Sequence, residues 1–128
     1  MRFPENLKYT KEHEWAKIEG KQITVGITDH AQSALGDIVF VELPKIGRVV
    51  KAGETFGVVE SIKAVSDLYA PISGKVLEIN DAVIGEPALL NQEPHTKAWL
   101  VKLELAEASE ANSLMDATQY SSYVETLK

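Results

Sequence analysis

At 128 residues with 45% hydrophobic side chains, the chain suffices for one compact domain with a real core, and its longest apolar runs are too short to span a bilayer. A formal net charge of −6 without a basic stripe argues against nucleic acid or an anionic membrane as partner. The absence of cysteine excludes disulfides and thiolate catalysis.

Met1 to Pro4 lead almost directly into Tyr9-Thr10, with neither a cationic segment before an apolar run nor an Arg/Ser-rich presequence. A bacterial cytoplasmic protein is expected, or a mitochondrial matrix protein after processing. Trp15 to Ile18 and Gln22 to Ile27 read as strands of a hairpin around Glu19-Gly20-Lys21, with Ile23, Val25 and Ile27 on one face. Thr28 to Gly36 combines capping residues, an apolar patch at Ala31, Ala34 and Leu35, and a glycine stop, which predicts a short helix. Strands are predicted at 38–43, 49–51, 55–61, 65–69, 75–79 and 99–105, and Glu86-Pro87-Ala88-Leu89-Leu90 as the start of a helical turn. From Ser109 onward strand alternation ceases. A C-terminal helical segment over about 109–128 is expected, with Leu114, Tyr120, Tyr123 and Leu127 on its apolar face.

Two stretches repeat a pattern of strand, Pro-x-x-Gly turn and strand. One runs from Asp37 through Pro44 and Gly47 to Val49, the other from Asp67 through Pro71 and Gly74 to Val76. A Gly-Glu pair follows each, at Gly53-Glu54 and Gly85-Glu86. This is a weak internal duplication. Lys63 lies in the link between the copies, at the tip of a hairpin between two apolar runs. A lysine buried among valines is costly, whereas one at a tight connection keeps its amine in water and open to acylation. Short strands with frequent turns and a few helices predict a mainly β fold, a sandwich or flattened barrel.

Other chemistries find less support. His13, His30 and His95 are far apart in sequence and lack a short metal-ligand pair. No Gly-x-Ser-x-Gly elbow occurs. Trp15 and Trp99, each flanked by strand-like sequence, read as core residues.

The segments Leu7-Lys8-Tyr9, His13-Glu14-Trp15, Val25 to Gln32, Leu35 to Pro44 and Val59 to Asp67, in this order, resemble the H protein family of the glycine cleavage system, within the lipoyl and biotinyl domain family. The resemblance implies a single lipoyl-carrier domain over 1–128, a hybrid of sandwich and barrel with short helices. It implies a lipoyl group in amide linkage to Lys63, and a non-catalytic shuttle. The partners implied are a pyridoxal-phosphate P protein that decarboxylates glycine, a tetrahydrofolate-dependent T protein, an L protein that reoxidises the dithiol, and a lipoate-attaching enzyme. A monomer is expected. Carried over by position, Glu14 and Asp67 are candidates to pair with a protonated aminomethyl nitrogen in a groove that shelters the arm. Glu60 and Ser61 are candidates for recognition by the attaching enzyme, with ordinary hairpin solvation and local hydrogen bonding as the competing reading. Glu12 stands where some members have serine and is left outside the site. Ile62 replaces a frequent valine, and Ala98-Trp99 a frequent Gly-Trp. A biotin carrier fits poorly, since Ile62 and Ala64 flank the lysine instead of methionines. A lipoyl domain of a 2-oxoacid dehydrogenase would have aspartate before the lysine. The alternative of another class is an H-like lipoate donor, or an unmodified binding module, outside glycine catabolism.

Overall fold

The computed structural model describes residues 1–127 and contains two antiparallel sheets. Strands β1 (Lys8–Tyr9), β2 (Glu14–Glu19) and β3 (Gln22–Ile27) form a meander. Helix α1 (Asp29–Leu35) leads to β4 (Ile38–Glu42), β5 (Val49–Val50), β6 (Thr55–Ser61), β7 (Val65–Tyr69) and β8 (Gly74–Ile79). Short helices α2 (Asp81–Gly85) and α3 (Leu89–Gln92) precede β9 (Val101–Leu105). A 3₁₀ turn (Ala108–Ser113) and α4 (Ala117–Glu125) end the chain. The larger sheet has the order β1-β2-β3-β9-β8-β5 and the smaller β4-β6-β7. Both sheets are open, so the expected layers are present while barrel closure is not.

The alternation of Ile23 and Val25 in β3 with Val41, Val59 and Leu68 of the smaller sheet builds one shared apolar core, each of these residues being buried. The two Pro-x-x-Gly copies have a spatial meaning. β4 and β7 flank β6 in the smaller sheet, and after their proline turns the chain crosses into the larger sheet, where β5 and β8 pair. The turns differ in why they need glycine: Gly47 takes a positive φ of 94°, whereas a Cβ on Gly74 would lie 2.5 Å from the Glu104 carbonyl oxygen of β9. The trailing Gly-Glu pairs are not equivalent. Gly53 sits in a turn at φ 84°, while Gly85 ends α2, a helix the sequence reading missed.

Thr28 caps α1 as predicted, its hydroxyl accepting the Ala31 N–H at 3.1 Å, and Gly36 stops it at φ 79°. Ala31 and Leu35 pack on the core, whereas Ala34 is exposed. Asp116 and Gln119 close a capping box at the start of α4. That helix buries Ala117, Tyr120 and Val124 against Leu7, Tyr9 and Trp15. Leu127 lies beyond its last turn and is exposed, so Val124 takes the place expected for it; Lys128, the end of the expected helical segment, lies outside the described residues. Trp15 is buried and donates its indole N–H to the Pro94 carbonyl at 2.9 Å. Trp99 departs from the core expectation. It is only half-buried: it packs against the Leu7, Trp15 and Tyr120 cluster from the outside, and the Lys102 ammonium stands 4.9 Å from its ring centroid.

Candidate functional site

The residues Ile62-Lys63-Ala64 form a three-residue turn between β6 and β7. Ser61 builds it: its hydroxyl oxygen accepts the N–H groups of Lys63 at 3.3 Å and Ala64 at 3.1 Å, and its backbone N–H donates to the Ala64 carbonyl at 2.8 Å. The turn is tied down from outside, because the Ile62 N–H donates to the Asp37 carbonyl at 3.1 Å. Asn91 of α3 in turn accepts the Ile38 N–H at 2.9 Å and donates to the Gly36 carbonyl at 2.9 Å. The base of Lys63 is therefore fixed, while the residue itself is exposed. Its stem runs past Gly36, where a Cβ would come within 3.5 Å of Lys63 Cε. Among the described residues Nζ has no hydrogen-bond or ion-pair partner.

Exposed apolar residues flank the turn as a collar at its base. Phe40, Glu60 and Val65 form one cross-strand row, with Phe40 and Val65 45% and 68% exposed, and Ile62 is 73% exposed beside the lysine. The sequence reading named Glu60 and overlooked its apolar neighbours, which only the strand register brings together.

A second feature lies at the other end of β7. A cavity of about 260 Å³ is lined by Tyr9, Thr10, Glu12, Glu14, Tyr69 and Met115, among others. β7, four extended steps from Val65 to Tyr69 or roughly 13 Å at about 3.3 Å per residue, separates the turn of Lys63 from the cavity. Glu14 opens β2 after a tight loop in which the His13 N–H donates to the Thr10 carbonyl at 3.1 Å and His13 takes φ 70°. This is a type I turn followed by a left-handed residue, a three-residue hairpin loop. The left-handed conformation costs a side chain about 1 kcal/mol. Against that, His13 Nδ1 and the Tyr120 hydroxyl make a 2.8 Å hydrogen bond, and Thr28 bonds the same hydroxyl at 2.8 Å.

Glu14 is only 2% exposed. Its Oε1 accepts the Thr10 hydroxyl at 2.8 Å and its Oε2 the Tyr69 N–H at 3.3 Å. Burial pushes its titration up to about 8, opposed by the Thr10 and Tyr69 hydrogen bonds and assisted by the charge of Glu12. Asp67 is exposed and stands opposite Val58, two residues before Tyr69 on the same face of β7. It is not among the residues lining the cavity. The structure thus places Asp67 between the lysine and the cavity and does not join it to Glu14. Glu60 is half-buried and Ser61 buried at the root of the turn. The rings of His13 and His30 lie 4.5 Å apart, yet no group of three or more His, Cys, Asp or Glu suited to a metal ion occurs among the described residues.

These environments make stability depend on pH in a defined way. Because the native Glu14 carboxyl titrates at about 8 instead of 4.5, its share of stability is whole below about 4.5 and lost as pH rises through about 8. His13 and His95 act in the opposite sense. Burial, together with the His30 charge for His13 and the Arg2 charge for His95, lowers both from 6.5 to about 4, so their share is whole above 6.5 and lost as pH falls through about 4. Thermal denaturation from about pH 4 to about pH 9 is expected to give a bell-shaped Tm profile, and Glu14→Gln to remove the alkaline fall while keeping the acid one.

Two open antiparallel sheets with a lysine at a hairpin tip, its amine unpartnered among the described residues, are the layout of a protein of the lipoyl/biotinyl-domain type. Comparison with known proteins narrows this. The family model described as Glycine cleavage H-protein matches residues 7–127. The chain is 55% identical over 125 residues to a glycine cleavage system H protein of Acidobacterium capsulatum, covering 98% of this chain and 96% of the relative. It is 54% identical over 124 residues to one of Staphylococcus saprophyticus, covering 97% and 98%. A solved structure of a glycine cleavage system H protein from Mycobacterium marinum superposes with a TM-score of 0.85 at 40% identity, covering 95% of this chain and 98% of that one. The chain belongs to the glycine cleavage H-protein family. Among the described residues no helix is long and apolar enough to cross a membrane.

Proposed function

We propose that this chain is the lipoyl carrier of a glycine cleavage system, with its arm in amide linkage to Lys63. The observation that carries this is the lysine's setting: a primary amine without a partner among the described residues, on a turn whose backbone is pinned by Ser61 and Asp37. Acylation there removes no hydrogen bond or ion pair among the described residues. The lipoyl group supplies a disulfide that accepts an aminomethyl unit and is regenerated by oxidation, so the hard chemistry stays with cofactors and partner enzymes. The chain itself is then a non-catalytic subunit, acting as one domain and as a monomer in the bacterial cytoplasm.

The partners are the P protein that decarboxylates glycine with pyridoxal phosphate, the T protein that passes the one-carbon unit to tetrahydrofolate, the L protein that reoxidises the dithiol, and an enzyme that attaches lipoate. The collar of Phe40, Ile62 and Val65 supports docking by such larger proteins, which must all cover the lysine to reach it. Glu60 and Ser61 serve the attaching enzyme, Ser61 by holding the turn open to it.

The cavity of Glu14 receives the loaded end of the arm. A buried carboxyl group pairs with a cationic amine there, and the walls keep water from a carbon that is labile between nitrogen and sulfur. Asp67, exposed on the strand that leads from Lys63 toward the cavity, attracts the same cation on its way. Peptide mapping of protein from a lipoate-supplied host is expected to find lipoyl on Lys63 and on no other lysine. Reconstitution with P protein is then expected to load the arm from glycine. A bare Lys63 in active material would overturn the assignment, and a lipoylated chain that P protein cannot load would leave only a lipoate donor.

A further inference from the structure

Glu14 does not present its carboxyl group unaided. Thr10 faces it across the mouth of the β1–β2 hairpin, and one hydroxyl serves two of its polar groups. The Thr10 oxygen accepts the Glu14 backbone N–H at 3.1 Å while its proton is donated to Glu14 Oε1 at 2.8 Å. Both residues line the same cavity. The loop does not depend on this hydroxyl for closure. The Thr10 N–H already donates to the Glu14 carbonyl at 3.0 Å, the His13 N–H to the Thr10 carbonyl at 3.1 Å, and Tyr120 holds the His13 ring. What the hydroxyl adds is the direction of a side chain.

We propose that Thr10 is a positioning residue of the arm-binding cavity, its hydroxyl fixing the Glu14 carboxyl group in the orientation that meets a cationic amine. This rests on the reading that the cavity receives the loaded arm. Threonine suits the task because its branched Cβ restricts χ1, so the hydroxyl is itself held before Glu14 needs it. Thr10 engages Oε1 and the Tyr69 N–H engages Oε2, one acceptor bond each, and when Glu14 is neutral one of the two oxygens also carries its proton. Once that proton leaves, each oxygen retains a free lone pair for an ammonium. The hydrogen bond also favours the charged form. Other groups share the surroundings: Tyr9 of β1, Lys11 and Glu12 of the loop, His13 beside it, Tyr69 of β7 and Tyr120 of α4.

The test compares Thr10→Val, which keeps the shape and loses the hydroxyl, with Thr10→Ser, which keeps the hydroxyl. In unlipoylated protein, NMR titration of the Glu14 side-chain carboxyl is expected to move to higher pH in Thr10→Val and to return toward wild type in Thr10→Ser. A purely structural threonine would leave it unmoved. In lipoylated protein loaded from glycine, Thr10→Val is expected to shorten the lifetime of the aminomethyl cargo roughly tenfold, from loss of one hydrogen bond to a charged group, with Thr10→Ser near wild type. A stationary Glu14 titration, or a serine variant that behaves like valine, overturns the proposal. Glu14→Gln separates the two claims. If it shortens the lifetime and Thr10→Val does not, the Thr10 role is wrong; if Glu14→Gln leaves the lifetime unchanged, the cavity reading falls and takes the Thr10 role with it.

Discussion

Lys63→Arg is expected to abolish glycine-dependent exchange of label with carbon dioxide in a reconstituted system, with no change in the thermal midpoint. The guanidinium keeps the positive charge but stays protonated at all working pH values, so it offers no free amine for amide formation. The fold does not register the change. Lys63 is exposed, its Nζ bonds to nothing among the described residues, and the turn is held by Ser61 and Asp37 through backbone groups that arginine also possesses. Exposed substitutions of this kind stay within about 0.5 kcal/mol. Intact mass distinguishes the variants directly, since arginine at position 63 leaves the chain without the lipoyl increment. Exchange that persisted in Lys63→Arg would place the arm on another residue and contradict the assignment.

Gly57→Ala is expected to cost about 3 kcal/mol of stability and roughly 10 °C of Tm, by a different route. β6 changes register between Thr55 and Gly57, and at that irregularity the strand runs hard against β4. A Cβ on Gly57 would collide with the backbone carbonyl oxygen of Glu42 and touch Leu68 Cδ1 at 3.4 Å. The obstacle is main chain, so no rotamer change relieves it; β4 and β6 have to part. Because β6 ends in Ser61, the turn under Lys63 loosens too, and lipoylation is expected to slow in step with the stability loss. Gly85→Ala is the control. Among the described residues nothing beyond its chain neighbours and its own helix lies within 4 Å of its Cβ position, and its φ is not positive, so the change is expected to stay within about 0.5 kcal/mol. Equal Tm values for the two variants would remove the steric account.

Much of this architecture was readable before any coordinate. Alternation of Ile23, Val25 and Ile27 located β3, short apolar runs between turn signals located β4, β6 and β7 to within a residue or so, and turn chemistry marked the tip that holds Lys63. What escaped notice was either too short or too distant. β1 has two residues, too few for a period, and exists because Tyr9 pairs with Trp15 on one side and bridges to Met115 on the other. α2 is five residues long behind an Asn80 cap, and its glycine had been spent on the supposed repeat. Glu14 is the clearest case. Family resemblance pointed to it, but a carboxylate at the edge of a strand ordinarily reads as solvent-facing. Its burial follows from Tyr69 and Thr10 closing on it, a meeting of residues 55 and 4 positions away that no local pattern encodes. The Tyr120 hydroxyl bridging His13 and Thr28 is similarly invisible, since it joins positions 107 and 92 residues apart.

The stitched turn beneath Lys63 has a kinetic consequence. A mobile arm carried on Lys63 would have an immobile root, which would confine its end to a small shell of space, where its effective concentration for any docked active site would be on the order of millimolar. Transfer within a docked pair is then independent of dilution, and successive handovers proceed at the pace at which the large enzymes leave and join the carrier, the joining step being the one that dilution slows.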